Sequence, residues 1–313
     1  MRVIFLGTPE FAVPSLKALL GSDYEVCAVF TQPDRPAGRG QKAQASAIKT
    51  FARVAGIPVF QPEKIRGPEN QPLLASLQPD FVVVVAYGQI LPLWLLQLPR
   101  MGCVNVHGSL LPHYRGAAPV TWAILNGEMV SGVTTMLMDE HLDTGPMLLK
   151  KEVEVTATMT AGELAGRLAI VGAELLIPTL AGLASGDLKP IPQDDSLASL
   201  APRITKEMGL IAWNRDARCI HNQIRGLNPW PLAYSECRGQ RLQIIRSTPP
   251  DESRTQELDA GIFLGASGSG MRIACGGGSI LEILEVQPAG KRRMPGREYA
   301  NGARLQPGQR LFV

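Results

Sequence analysis

Asn105 and His107 stand two residues apart on an apolar run, 101–107, and a carboxylate follows at Asp143 within His141-Leu142-Asp143-Thr144-Gly145. An amide, an imidazole and a carboxylate are the working parts of an acyl-transfer site. If the run is a strand, side chains at i and i+2 leave the same face, so Asn105 and His107 can converge on one substrate atom. Gly108-Ser109 and Leu111-Pro112 then end the strand and put the pair at its carboxyl end, where open parallel sheets bind ligands. A carbonyl held there becomes an oxyanion when attacked, and the amide and a protonated imidazole could both stabilise it. One such donor is worth on the order of 10²–10³ in rate. Asp143 would help to move the proton, directly or through water.

Each residue also has a plainer reading. A strand-end His is commonly a hydrogen-bonded structural residue, and Asp-Thr-Gly is ordinary turn chemistry; the combination is what points to a site. Ser109 is close enough to His107 in sequence for Ser-His catalysis, but no Gly-x-Ser-x-Gly elbow surrounds it. His107, His113, His141 and His221 show no HxxxH spacing, so no metal is expected. Gly7-Thr8-Pro9-Glu10-Phe11 holds one of the three glycines of a dinucleotide fingerprint, and Pro9 removes a backbone donor, which argues against NAD or FAD. Thr8 is expected to cap the following helix instead.

The elements that must position these residues follow from periodicity. Apolar β-rich runs at 3–6, 26–31, 58–60, 81–86 and 103–107 alternate with helical patterns at 11–20, 45–55 and 69–77. Such alternation means βαβ units and a Rossmann-like, mostly parallel sheet. Val82 to Val85 lack polar alternation, as a central strand covered on both faces does. Further strands are expected at 131–138 and 147–155, then a long helix over 160–185 with a kink near Ile177 imposed by Pro178. The uncharged stretch 81–98 is long enough to span a membrane, but Gly88, Gln89 and Pro92 divide it into strand, loop and short helix.

Composition turns polar and Pro-containing at 186–195, as a linker does. Beyond it lie a helical pattern at 217–225 and short β-like runs at 232–237, 241–246, 261–264, 271–274 and 280–286, separated by Gly-rich turns. Short strands at this spacing predict a small OB-like β-barrel, a fold often used on nucleic acid. The expected organisation is an α/β catalytic domain over 1–186, a linker over 187–205 and a C-terminal barrel domain over 206–313.

With 313 residues, 45% hydrophobic and 19% charged, the chain can build a large core and a smaller one. Five cysteines without a CxxC pair disfavour both a disulfide framework and a zinc site, and fit a reducing cytoplasmic compartment. The opening apolar run is too short for a signal peptide and reads as a first strand. The net charge of +3 conceals an asymmetry: 201–313 carries 16 Lys and Arg against 10 Asp and Glu, whereas 1–200 carries 15 against 18. Fourteen of those sixteen are Arg, the side chain best suited to phosphate, so nucleic acid is the partner this charge suggests over a plain solvated surface. The stretch 31–42, with Arg35, Arg39, Lys42 and two glycines, reads as a long exposed arm able to contact phosphate or a base edge.

Taken together, these motifs resemble the methionyl-tRNA branch of the formyltetrahydrofolate-dependent formyltransferase family, nearly end to end. The resemblance is carried by 30–40, Val85-Ala86-Tyr87-Gly88, 105–112, Tyr114-Arg115-Gly116-Ala117-Ala118-Pro119, Leu142-Asp143-Thr144-Gly145 and Asn228-Pro229-Trp230-Pro231. It implies that Asn105, His107 and Asp143 are catalytic and that Ser109, Leu110, Leu111 and Pro112 contact tetrahydrofolate. The loops 87–91, with Tyr87, Gly88, Gln89 and Ile90, and 138–143 would line the folate pocket. Arg35, Arg39 and Lys42 would enter the tRNA acceptor stem, and the C-terminal barrel would help to hold the tRNA. The implied reaction moves the formyl group of 10-formyltetrahydrofolate to the free amino group of initiator methionyl-tRNA, without a metal, in a cytoplasmic monomer that touches no membrane.

Two departures stand out. Ala43, Ala45 and Ala47 replace the Leu and Pro expected of the family, which would loosen the end of the arm, and His141 stands where Gly is usual. Two other functions stay open at this stage. The same chemistry could serve a small amine such as glycinamide ribonucleotide or an amino-sugar nucleotide, or an inactive folate fold could serve as an RNA-binding protein. The basic arm and C-terminal third favour tRNA over the small amines, and the intact catalytic set disfavours an inactive fold.

Overall fold

The computed structural model describes residues 1–37, 42–251 and 258–312. Its first strands and helices are β1 (Arg2–Gly7), α1 (Val13–Leu20), β2 (Glu25–Phe30), β3 (Arg35–Ala37), β4 (Lys42–Gln44) and α2 (Ala47–Val54). Next come β5 (Val59–Phe60), α3 (Asn70–Ser76), β6 (Phe81–Val85), α4 (Leu93–Leu96) and β7 (Cys103–His107). They are followed by α5 (Pro119–Leu125), β8 (Val130–Leu137), β9 (Met147–Glu154) and α6 (Ala161–Ser185).

Seven of these strands form one sheet in the order β5-β2-β1-β6-β7-β8-β9. The ladders from β5 through β7 are parallel, and β8 turns antiparallel to β7. β6 is central and buried at every position, as its unbroken valine run requires. The 81–98 stretch therefore resolves into β6, a loop and α4, with no membrane-length helix.

β7 is also buried throughout, although it carries Asn105 and His107. A buried polar group left without a partner costs about 1–3 kcal/mol, so this strand depends on neighbours that meet both side chains. α6 backs this strand. A Cβ on Gly172 would lie 2.7 Å from Val106 and 3.6 Å from Val133, so only glycine lets the helix come this close. Leu168, Leu176 and Leu180 are fully buried, and the Thr179 hydroxyl meets that of Thr135 at 2.8 Å. α6 is long and apolar enough to cross a membrane by composition alone, and this packing accounts for its apolar face. It runs as a single helix through Pro178.

Two local expectations are corrected. Thr8 caps no helix: its hydroxyl donates to the Tyr87 carbonyl at 3.0 Å and accepts from the Gln32 N–H at 3.3 Å, which joins the ends of β1, β2 and β6. The 31–42 stretch is not a structureless loop, because β3 and β4 pair as an antiparallel hairpin. At its base, Asp34 accepts from Lys49 on α2 at 2.5 Å and from Gln61 at 2.8 Å, and these bonds hold its carboxyl below the usual carboxylate range. Arg39 lies outside the described residues.

Contacts divide the chain into two units, and neither is continuous in sequence. The first comprises Met1–Pro119, Ser131–Val153 and Ala165–Ala201; the second comprises Val120–Val130, Glu154–Leu164 and the chain from Pro202 onward. The stretch read as a linker, 187–205, thus lies with the first unit as far as Ala201.

In the second unit, α7 (Ala217–Gly226) precedes β10 (Ala233–Cys237), β11 (Gln240–Ser247), β12 (Phe263–Ser267), β13 (Gly270–Ala274), β14 (Ile280–Pro288), β15 (Met294–Pro295) and α8 (Gly296–Gly302). The strands form an antiparallel sheet, β10-β11-β14-β13-β12, with β15 on β14; among the described residues no ladder joins β10 to β12. Inward residues of this sheet and of α7 build a separate core, including Ile220, Ile224, Leu242, Ile244, Ile273 and Ile283, around Trp213 stacked on Phe312 at 4.5 Å.

Candidate active site

Asn105 pairs in register with Val84 on one side and Met136 on the other, and His107 with Thr134, so both backbones are fixed by sheet ladders. Their side chains leave the same face near the end of β7. They are 8% and 6% exposed, enough to reach solvent or substrate only at one edge.

Asp143 comes to them from the turn between β8 and β9. Its Oδ1 lies 3.4 Å from Asn105 Nδ2 and 3.7 Å from His107 Nδ1, and its Oδ2 accepts the Gly116 N–H at 2.8 Å. The imidazole contact is longer than a direct hydrogen bond. His107 Nε2 lies 3.0 Å from the Tyr114 carbonyl, an acceptor only, so Nε2 carries a proton and Nδ1 is the nitrogen turned to Asp143. The Asn105 amide and, when it is protonated, His107 Nδ1 both face this oxygen, and two groups so placed can face an oxyanion.

The turn is built for this approach. Asp143 and Tyr114 have φ of 55° and 62°, left-handed conformations uncommon for non-glycine residues. Gly116, at φ 124°, brings its N–H to the carboxylate, and a Cβ there would sit 2.7 Å from the Ala201 carbonyl oxygen. Neither Gly116 nor Tyr114 has a spacing that singles it out as a site residue, since both act through main-chain atoms.

The segment after β7 is a tied wall. Ser109 is buried and its hydroxyl donates to the His113 carbonyl at 2.6 Å, away from His107, which removes the Ser-His alternative. Thr134 receives the Leu111 N–H at 3.0 Å and donates to the Ser109 carbonyl at 2.8 Å. The Leu110 carbonyl accepts from the His113 N–H, and Lys150 donates to the Leu111 carbonyl. Burial pushes the Lys150 ammonium below its usual range. Leu111 and Pro112 are joined by a cis peptide.

The loop after β6 divides in two. Tyr87 is buried in the core with its carbonyl held by Thr8 and Gln32, and burial raises its phenol well above the usual range. The Gln89 side chain turns inward, accepting from the Ile65 N–H at 2.7 Å and donating to the Glu63 carbonyl at 3.2 Å. Gly88 and Ile90 remain outward, with Ile90 82% exposed. Of the basic residues on the arm, Arg35 is exposed and the backbone of Lys42 pairs with Ala37. Among the described residues no cluster of three His, Cys, Asp or Glu side chains gathers.

Sequence comparison adds a family. The profile of the formyl transferase family matches residues 1–180, and that of the formyl transferase C-terminal domain matches 203–304. Over 311 residues the chain is 47% identical to the methionyl-tRNA formyltransferase of Ruminiclostridium cellulolyticum, covering 99% of each chain. It is 50% identical to that of Trichlorobacter lovleyi, covering 99% of this chain and 97% of the other. A sugar 3N-formyl transferase, crystallised in the presence of dTDP and 5-N-formyl-THF, superposes with a TM-score of 0.68 at 19% identity, covering 93% of this chain and 99% of its own, a likeness of fold.

Proposed function

Because the chain belongs to the methionyl-tRNA formyltransferase family, we propose that it transfers the formyl group of 10-formyltetrahydrofolate to the amino group of methionine esterified to initiator tRNA. The observation that carries this reading is the convergence of Asn105 Nδ2, at 3.4 Å, and His107 Nδ1, at 3.7 Å, on the Oδ1 carboxylate oxygen of Asp143.

The neutral α-amine attacks the formyl carbon, and the formyl oxygen becomes an oxyanion between Asn105 Nδ2 and a protonated His107 Nδ1. The attacking nitrogen must then shed a proton, which Asp143 accepts directly or through water. Collapse of the intermediate breaks the bond to N10 of the folate, which takes up a proton as tetrahydrofolate leaves. The balance is one C–N bond made and one broken, with the amine's proton replaced on the leaving nitrogen.

Ser109, Leu110, Leu111 and Pro112 contact the folate, as does the loop of Tyr87, Gly88, Gln89 and Ile90. Arg35, Arg39 and Lys42 meet the phosphates of the acceptor stem. Residues 1–186 are assigned to catalysis and 206–313 to holding the tRNA, in a cytoplasmic monomer.

The test is an acceptor panel with 10-formyltetrahydrofolate: methionyl-tRNA, glycinamide ribonucleotide and an amino-sugar nucleotide. Methionyl-tRNA is expected to be formylated with the highest kcat/KM. Preference for either small amine overturns the assignment.

A further inference from the structure

The strap 191–201 follows α6 and grips the catalytic turn at several points. Ile191 exchanges both backbone hydrogen bonds with Met147, each 2.8 Å. Ser199 and Ala201 bond to the main chain of Tyr114 and Arg115. Between them, Gln193 does something its neighbours do not: its Nε2 donates to the carbonyls of Asp143 and of Gly145, both at 2.8 Å. Its Oε1 accepts from Arg115 Nε at 3.0 Å, and Arg115, 7% exposed, is held in turn by Asp195 at 2.7 Å.

A primary amide fits this position as few side chains could. It has two N–H bonds for two carbonyls and one oxygen for a guanidinium, and the Arg115 contact fixes which end is which. Asp143 needs such a grip. Its φ of 55° lies in the left-handed region that few non-glycine residues occupy, and its carboxylate works only when aimed at Asn105 and His107.

We propose that Gln193 is a positioning residue for formyl transfer: by clasping the Asp143 and Gly145 carbonyls it fixes the backbone from which the Asp143 carboxylate faces His107. This rests on the reading of Asn105, His107 and Asp143 as the transfer site. Gln193→Met keeps the volume and loses both donors. Gln193→Glu keeps an acceptor for Arg115 but turns an anion on two carbonyl oxygens.

Transfer to methionyl-tRNA is measured on the full chain, well below each variant's melting temperature so that every chain is folded. A misplacement of about 1 Å costs on the order of 10² in rate, so the Met variant should lose roughly tenfold or more in kcat, with KM for both substrates within about twofold, and the Glu variant more. A residue that merely anchors the strap would lower the melting temperature and leave kcat alone. A Met variant within about twofold of wild-type kcat, a loss carried by KM alone, or a Glu variant faster than the Met variant overturns the proposal. Failure of the wild type itself to form formylmethionyl-tRNA overturns the function on which it rests.

Discussion

Asn105 and His107 announce themselves because a buried strand has no use for an amide and an imidazole on one face unless something comes to meet them. Their period-two spacing at the end of an apolar run made both residues and their shared face legible in the sequence. Asp143 was legible as a carboxylate in a turn, but its nearness to His107 was not. Its approach to His107 depends on a left-handed turn and on the Gly116 N–H, neither of which a residue type encodes. Gln89 sits in a recognisable loop that suggested a ligand contact, and its side chain is engaged by the Ile65 N–H and the Glu63 carbonyl. Removing the amide without disturbing the strand gives the sharpest prediction at this scale. Asn105→Ala should lower kcat for formyl transfer by on the order of 10²–10³ while folate and tRNA affinities stay within a few-fold, because the donor acts mainly on the developing oxyanion. A rate within threefold or so of wild type, by the same reckoning, would remove Asn105 from the oxyanion site.

Elements were more legible than contacts. The 103–107 run is β7 and the 160–185 pattern is α6, because apolar periodicity reports burial directly. The β3–β4 hairpin was hidden by Pro36 and the glycines between its strands, which read as loop composition. The strap 191–201 falls within the stretch 187–205 read as a linker because its ties are hydrogen bonds to distant main chain, which leave no periodic trace. In the second unit, α7 buries His221, whose Nδ1 meets Ser247 on β11 at 2.8 Å and whose Nε2 meets the Ala157 carbonyl at 2.8 Å. Burial pushes its pKa below the ordinary value; the Ala157 contact opposes this and the charge of Arg225 adds to it. The unfolded imidazole then takes up a proton at a pH where the folded one does not, so stability is full above about 6.5 and falls as pH drops below it. Thermal melts from pH 7.5 to 5 should show this decline, and His221→Gln should shallow it. Identical slopes for the two proteins would contradict the burial argument.

At the scale of the whole molecule, charge and chemistry are divided along the chain: the transfer site lies in an acidic two thirds, while 14 arginines crowd the last third. That division is what turned a generic acyl-transfer motif towards an acceptor carried on RNA. It was visible from composition, as the antiparallel second unit was from its short strands. The discontinuous units were not visible, because segments such as Val120–Val130 join the second unit by packing. For the arm, Arg35→Ala should weaken tRNA binding and reduce the magnitude of the log–log salt slope by about one, with folate binding unchanged. An unaltered slope would take Arg35 out of phosphate contact.

The most direct test follows labelled formyl from 10-formyltetrahydrofolate to methionyl-tRNA in a single turnover, with wild type and His107→Ala compared after the affinity of each for both substrates has been measured. The wild type is expected to transfer, and the variant to bind both substrates yet lose on the order of 10² or more in rate. A variant that keeps more than about a tenth of the wild-type rate would contradict His107 as the centre of the site.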